Sequence, residues 1–145
     1  MDKVDEKIVQ MLQENARVPI KEIAKEVFLS SPAVSARIDR LCHEGLIKGY
    51  HMTIDREKLG YTVTAFINLE MSPARKPQFY AFIRECPNVL ECCCVTGQYS
   101  QLIKVAFRTT SELDHFIGHL QEYGRTSTQI VFSTQVEPRD IDICL

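Results

Sequence analysis

The apolar residues keep one spacing up to about residue 44 and another from residue 62, and this change calls for two domains of different architecture. Val4, Ile8, Met11 and Leu12 recur at i, i+4, i+7 and i+8, the stripe of an amphipathic helix over about residues 3–15. Asp2 and Asp5 lie near its positive end, and Asn15 with Pro19 beyond suits a stop. A second, shorter stripe over about 20–27 carries Ile20, Ile23, Ala24 and Val27, with the small Ala24 where two helices would approach closely. A third runs to about Glu44 and carries Val34, Ile38, Leu41 and Cys42. From Thr62 to Met71 the pattern alternates instead. Val63, Ala65, Ile67, Leu69 and Met71 interleave with Thr62, Thr64, Phe66, Asn68 and Glu70, as in a strand.

Between the second and third helices lies only Phe28-Leu29-Ser30. Ser30 or Ser31 can cap the third helix, and Pro32 fits its first turn, where a missing N–H costs nothing. Gly45 ends that helix, and Ile47–Ile54 is strand-like, with Gly49 allowing a bend. Two short helices, a tight turn and a following strand make a winged helix-turn-helix over residues 1–55, a module whose second helix enters a DNA major groove. Small residues at the front of that helix (Ser30, Ser31, Pro32, Ser35 and Ala36) permit close approach. Arg37 and Arg40 can reach phosphates or guanine edges, and Lys48 stands near a backbone contact.

Residues 56–61 form a connector, and residues 62–145 a second domain. Pro77–Cys86 is helical, with Phe79, Phe82, Ile83 and Cys86 on one side. Val89–Thr96 and Leu102–Arg108 are strands joined by a hairpin loop at Gly97–Gln101. Ser111 and Asp114 have capping-box spacing before a helix that buries Leu113, Phe116, Ile117 and Leu120, and Gly124 closes it. Thr128–Val136 is the last strand. The order β-α-β-β-α-β is the ferredoxin-like sandwich, so the fold class is α+β. Both helices cover one sheet face. The other carries either the Val63/Ile67 set or the Phe66 set, with some of Leu90, Cys92, Cys93 and Cys94. A bare face of this kind calls for a partner, and a homodimer with sheets face to face would pair two DNA-reading helices.

Composition narrows the function. The net charge is −2, and residues 1–60 hold ten basic and ten acidic side chains, so one copy binds DNA poorly and local charge placement must serve. No run of about 18 apolar residues exists to cross a membrane. The start, MDKVDEKIVQ, is no signal peptide, so a cytoplasmic location is expected. The six cysteines, Cys42, Cys86, Cys92, Cys93, Cys94 and Cys144, include no C-x-x-C pair and read as small buried hydrophobes. Cys92 and Cys94 would share one strand face and Cys93 the other. His115 and His119 stand at i, i+4, a spacing that could bind metal, although a solvated helix face is the plainer reading. No metal ion, cofactor or catalytic constellation is expected.

A longer string of residues carries a resemblance. It runs Asp5-x-x-Ile8 with Leu12, Asn15-x-Arg17, Glu22-Ile23-Ala24, Leu29-Ser30, Val34-x-x-Arg37-Ile38-x-x-Leu41, Glu44-Gly45-x-Ile47-x-Gly49-Tyr50, Leu59-Gly60, Val95-Thr96-Gly97-x-Tyr99 and Thr126-Ser127-Thr128. Across essentially its whole length the chain resembles the Lrp/AsnC, or feast/famine, transcriptional regulators. The resemblance implies a dimer that assembles further into tetramers or octamers and binds pseudo-palindromic double-stranded DNA. It also implies a small effector, commonly an amino acid, bound between dimers near Gly97, Gln98, Tyr99, Ser100, Gln101, Thr126 and Thr128. Two positions depart from the family. Phe28 stands where Gly is usual and should avoid positive φ, so that the turn differs or Phe28 serves as packing. The effector loop reads Gly97-Gln98-Tyr99-Ser100 where the family has Gly-Asp-Tyr-Asp, so both acids are missing.

Two other functions fit parts of the chain. A ligand-gated protein assembly module without DNA binding accords with the neutral charge of residues 1–60. Sirohaem decarboxylases resemble the family in both halves and pair histidines with a haem-like substrate, but no carboxylate–histidine constellation accompanies His115 and His119 here.

Overall fold

The computed structural model describes residues 1–141 and 143. The chain divides into two compact units, Ile54–Val136 and a unit of Met1–Thr53 joined by residues from Glu137 on. The expected connector at 56–61 thus lies in the sandwich unit, and the described residues beyond Val136 belong with the helical one. No helix among the described residues is long and apolar enough to cross a membrane.

The helical unit contains α1 (Lys3–Glu14), α2 (Ile20–Glu26) and α3 (Ser31–His43). Asp2 caps α1: its carboxylate accepts from the Asp5 N–H at 2.8 Å, and Asp5 returns the bond at 3.1 Å. Ser30 caps α3 by accepting from the Ala33 N–H. Ile8, Ile23, Ala24, Val27 and Val34 form the core of this unit. Ile20 and Cys42, expected on buried stripes, are exposed, each sitting at the rim of a three-helix core too small to cover them.

Two helix ends use one motif. At the end of α3 the Leu46 N–H donates to Leu41 O and the Gly45 N–H to Cys42 O, with Gly45 at φ 75°. At the end of α2 the Leu29 N–H donates to Ala24 O and the Phe28 N–H to Lys25 O, with Phe28 at φ 55°. Both are Schellman caps, which place the residue after the cap in the left-handed region. The expectation that Phe28 avoids positive φ or packs inward is therefore corrected. The cap geometry imposes the dihedral, and the ring is 93% exposed.

The expected wing strand at Ile47–Ile54 is not formed. Leu46 to Ile54 are irregular, with Leu46, Tyr50, Met52 and Ile54 exposed. An extended segment needs a ladder partner, and none of the strands β1–β4 pairs with this one.

The sandwich unit runs β1 (Val63–Met71), α4 (Lys76–Glu85), β2 (Val89–Cys94), β3 (Gln101–Phe107), α5 (Thr110–Gln121) and β4 (Gly124–Ile130). Its sheet is antiparallel in the order β2-β3-β1-β4, the expected ferredoxin-like topology. Register settles which face is covered. Ala65, Ile67, Leu69 and Met71 pack with Ile103, Val105 and Phe107 against Phe79 and Ile83 of α4 and Leu113, Phe116 and Leu120 of α5. Thr64, Phe66 and Asn68, with Leu102 and Lys104 opposite, take the other face. The capping box of α5 is Thr109 with Glu112, two residues before the expected Ser111/Asp114 frame. Gly124 opens β4 instead of closing α5, because a Cβ there would run into the backbone of Glu70 and Met71. The last strand thus pairs from Met71↔Gly124 to Ala65↔Ile130 and not over Thr128–Val136; it ends near the residue where β1 begins.

Candidate nucleic-acid interface and effector loop

The outer stripe of α3 is Pro32, Ala36, Asp39, Arg40 and His43, all exposed, while Ser31, Ser35 and Arg37 are half-buried and Ser30 and Lys48 exposed. Pro32 and Ala36 leave the first two turns of this stripe without a long side chain. The two arginines are not free. Arg37 Nη1 donates to Asp2 Oδ2 and Asp5 Oδ1, both at 2.7 Å, and Arg40 Nη2 donates to Asp5 Oδ2 at 2.6 Å. Asp5 is 1% exposed. Burial alone would push its carboxyl up, but the Asp2 backbone N–H with the Arg37 and Arg40 guanidinia outweighs that and holds it below the usual carboxylate range. The Arg37 hydrogen bond and the Asp5 backbone N–H lower Asp2 to about 2.

These pairs fix α3 to the start of α1. A guanidinium has five N–H donors, so each arginine keeps donors for a second partner while Asp5 sets its direction. Asp5 was missed as a functional residue. Its signal was its place on the buried face with Ile8, Val9 and Leu12, at i, i+3, i+4 and i+7.

In the sandwich unit the loop between β2 and β3 is closed by the Val95 N–H donating to Ser100 O at 3.0 Å. Gly97 has φ 108°, a conformation that only glycine adopts freely. Ser100 donates its N–H and its hydroxyl to Leu69 O, at 3.0 and 3.4 Å. Leu69 pairs with Gln101 on one side and Thr126 on the other, and Ile67 pairs with Ile103 and Thr128. One row of the sheet thus joins Ser100, Gln101 and Thr126, with Thr128 one row along. Gln98 is exposed, and Tyr99, Thr126 and Thr128 are half-buried. Gln121 Nε2 donates to Thr126 Oγ1 at 3.4 Å.

Gln101 differs from the rest of its set. It is fully buried, its amide donating to Tyr80 Oη at 3.2 Å and its Oε1 accepting from Cys92 Sγ at 3.8 Å. The strand starts one residue earlier than expected, and alternation turns Gln101 inward.

Cys92 lies opposite Ile103 and Cys94 opposite Gln101, while Cys93 lies opposite Leu102, so the expected split of faces holds. Their burial does not. Cys94 is exposed and Cys92 and Cys93 are only partly covered, because β2 is an edge strand; Cys42 on α3 is exposed and Cys86 at the end of α4 partly covered. Burial pushes the Cys92 thiol up to about 11, with Cys93 and Cys94 adding to the rise. Cys144 lies outside the described residues. Among the described residues no three His, Cys, Asp or Glu side chains gather as a metal site.

Comparison with known proteins accounts for both units. Residues 1–41 match the AsnC-type helix-turn-helix domain, and residues 64–141 match the Lrp/AsnC ligand binding domain. The HTH-type transcriptional regulator FL11 of Pyrococcus horikoshii is 30% identical, over 99% of this chain and 97% of its own length. The uncharacterized HTH-type transcriptional regulator YezC of Bacillus subtilis is 37% identical, over 92% of this chain and 95% of its own. Among solved structures, E. coli AsnC superposes with a TM-score of 0.89 at 31% identity, over 98% of each chain. The transcriptional regulator NMB0573 of Neisseria meningitidis, solved with L-Met, gives 0.88 at 27% identity, over 96% of this chain and 94% of that one. With both domains matched in order and nearly the whole length shared with named regulators, the chain belongs to the Lrp/AsnC family of helix-turn-helix transcriptional regulators.

Proposed function

We propose that the protein reads promoter DNA with the outer stripe of α3. The observation that carries this is the pairing of a short-side-chain front, Pro32 and Ala36, with two arginines braced from behind by Asp5. Ser30, Ser31, Ser35 and Lys48 flank that stripe and suit phosphate contacts, and Arg40 suits a base edge or phosphate. Such a regulator works in the cytoplasm beside its DNA. The relatives' names favour regulation over catalysis, and neither the sirohaem-decarboxylase reading nor the DNA-free assembly module draws support from them.

The test is fluorescence anisotropy with DNA from upstream of the protein's own gene, at stated salt. Binding should exceed that to random DNA and weaken steeply as salt rises. Ala36→Glu places a carboxylate toward the phosphates and touches no packing, so it should abolish binding while the melting temperature stays unchanged. Equal affinity for specific and random DNA would refute sequence-specific reading.

Two finer parts belong to the same proposal. The open sheet face carries Phe66 and Leu102 among polar neighbours, with the Lys104 ammonium 5.5 Å from the Phe66 ring centre, and it suits a second copy of the chain. A homodimer would give the DNA site its two half-site readers, and dimers would meet further at the effector loops; monomer alone in sedimentation at micromolar concentration would refute it. The loop at Gly97–Ser100 with Thr126 and Thr128 is the proposed effector site, Gln101 serving as its buried floor. The L-Met held by the Neisseria relative supports an amino-acid-like ligand. Here the loop offers Gln98 and Ser100 in place of acids, and since the Ser100 hydroxyl already donates to Leu69 O, the Gln98 amide is the donor that suits a carboxylate or amide while an ammonium gains little. A thermal-shift screen of amino acids and related metabolites tests this, because a ligand that binds only the native state raises its stability.

A further inference from the structure

On the outer face of α5, His115 and His119 bring their Nε2 atoms to 3.2 Å, with the rings edge to face at a centroid distance of 4.8 Å. Both side chains are exposed, and both line a cleft of about 560 Å³ with Tyr61, Asn88 and Arg108. We propose that His115 and His119 chelate one late first-row divalent ion of the Zn(II), Ni(II), Cu(II) class through their Nε2 atoms.

Three observations carry this. The first is the bite. Two imidazole nitrogens at about 2.0–2.1 Å from one ion, at bond angles between square and tetrahedral, lie about 2.9–3.4 Å apart. The observed 3.2 Å falls inside that window with no change of rotamer. The second is orientation. Glu122 places Oε1 3.7 Å from His119 Nδ1, on the side of the ring away from His115. At that distance the carboxylate acts through its charge and not through a hydrogen bond; it favours a proton on Nδ1, so that His119 Nε2 accepts from the His115 ring N–H in the metal-free pair and offers its lone pair once a metal displaces that proton. Packing adds to this, since the Phe82 ring lies against His119 with centroids 6.4 Å apart. The third is the donor set. Imidazole nitrogens select this class of ion over calcium or magnesium.

No third His, Cys, Asp or Glu joins the pair among the described residues. Glu112, one turn before His115, has its Oε2 on the Arg108 and Thr109 N–H groups as part of the α5 cap. The remaining coordination positions therefore fall to water or to a small ligand entering the cleft, and the site is an exchangeable one.

The experiment titrates ZnCl2 into the full-length protein carrying 15N in its histidine rings, in a non-chelating reductant. The readout is the ring nitrogens, so zinc taken up by thiols does not register as success. The ring signals of His115 and His119 should shift together and saturate at one zinc per chain, while those of His43 and His51 stay in place. His115→Gln should remove the His119 shift and weaken binding by more than the about 10–100-fold that loss of an outer partner costs. If zinc leaves both rings unshifted, or if His115→Gln leaves the His119 titration unchanged, the chelate does not exist.

Discussion

The two units solve the problem of fixing their elements in opposite ways. In the sandwich, Ala65, Ile67, Leu69, Phe79, Ile103, Val105 and Leu120 form one continuous apolar layer between sheet and helices, and the buried set contains no charged side chain. In the helical unit the apolar core is small, and the link between α1 and α3 adds a buried carboxylate shared by two arginines. Apolar burial is non-directional, whereas a carboxylate that bridges two guanidinia through charge-assisted hydrogen bonds fixes the angle at which a helix presents its side chains. The sandwich therefore gains bulk stability, and the helical unit gains a defined orientation for α3. That is the division of labour expected between a platform and a reader.

The largest expected effect comes from attacking the sandwich layer. Phe79 is fully buried, with Tyr80 and Tyr123 ring centroids at 5.6 and 5.7 Å. Phe79→Ala should cost about 3–5 kcal/mol, read by urea unfolding. Amide exchange should show the loss in residues 63–130, with α1 to α3 far less affected. An equal loss of protection in both units would break the comparison.

Asp5→Ala comes next, at about 2–3 kcal/mol, localised to the helical unit. It falls below the cost of breaking a fully buried pair because the Arg37 and Arg40 side chains are 29% and 47% exposed and can rehydrate. The same variant separates two roles. It should weaken DNA binding at a temperature where the unit is still folded, because Arg40 loses its short ion pair and Arg37 is left with Asp2 alone.

Acid probes the ion network without mutation. Asp2 and Asp5 have folded-state values below that of an unfolded aspartate. Their contribution is fully present above about pH 4 and is lost as pH falls through the lowered folded values, for Asp2 about 2. Amide signals of α1 and α3 followed over that range should broaden or shift before those of β1 and β3. Sandwich signals that disappear first would reverse the ranking.

Much of this organisation was legible in the chain because it depends on local pattern. The stripes of α1 to α3, the Ser30 cap, and the alternation in β1 each follow from residues within two turns or one strand. What escaped depended on partners far away in sequence. Residues 47–54 have strand composition but no ladder partner among β1 to β4. Both Thr109/Glu112 and Ser111/Asp114 satisfy capping-box spacing, and only the end of β3 at Phe107 decides between them. Gly124 was ambiguous between a helix end and a strand start until the Glu70 backbone lay against it. At the sites, the α3 residues were legible as a helix face, but the tie from Asp5 to Arg37 spans 32 positions and no local pattern encodes it. Gln101 stands at the junction of loop and strand, and its pairing opposite Leu69 of β1, far away in sequence, is what places it in the inward set with Ile103 and Val105.

The smallest effect is the most specific test of the helical unit. Phe28 and Gly45 occupy the same position in two Schellman caps of the same unit, at φ 55° and 75°. A non-glycine residue in the left-handed region carries about 1–2 kcal/mol of strain, and glycine there costs about 0.5–1 kcal/mol more backbone entropy on folding. The exposed Phe28 ring gives up little packing when removed. Phe28→Gly should therefore stabilise the helical unit by up to about 1 kcal/mol, read as a raised urea midpoint with unchanged slope. Gly45→Phe should move the midpoint the other way by a similar amount, because nothing lies near its Cβ position and strain acts alone. If Phe28→Gly destabilises instead, the ring must pack against something in solution, and the exposed side of the turn becomes a contact surface in its own right.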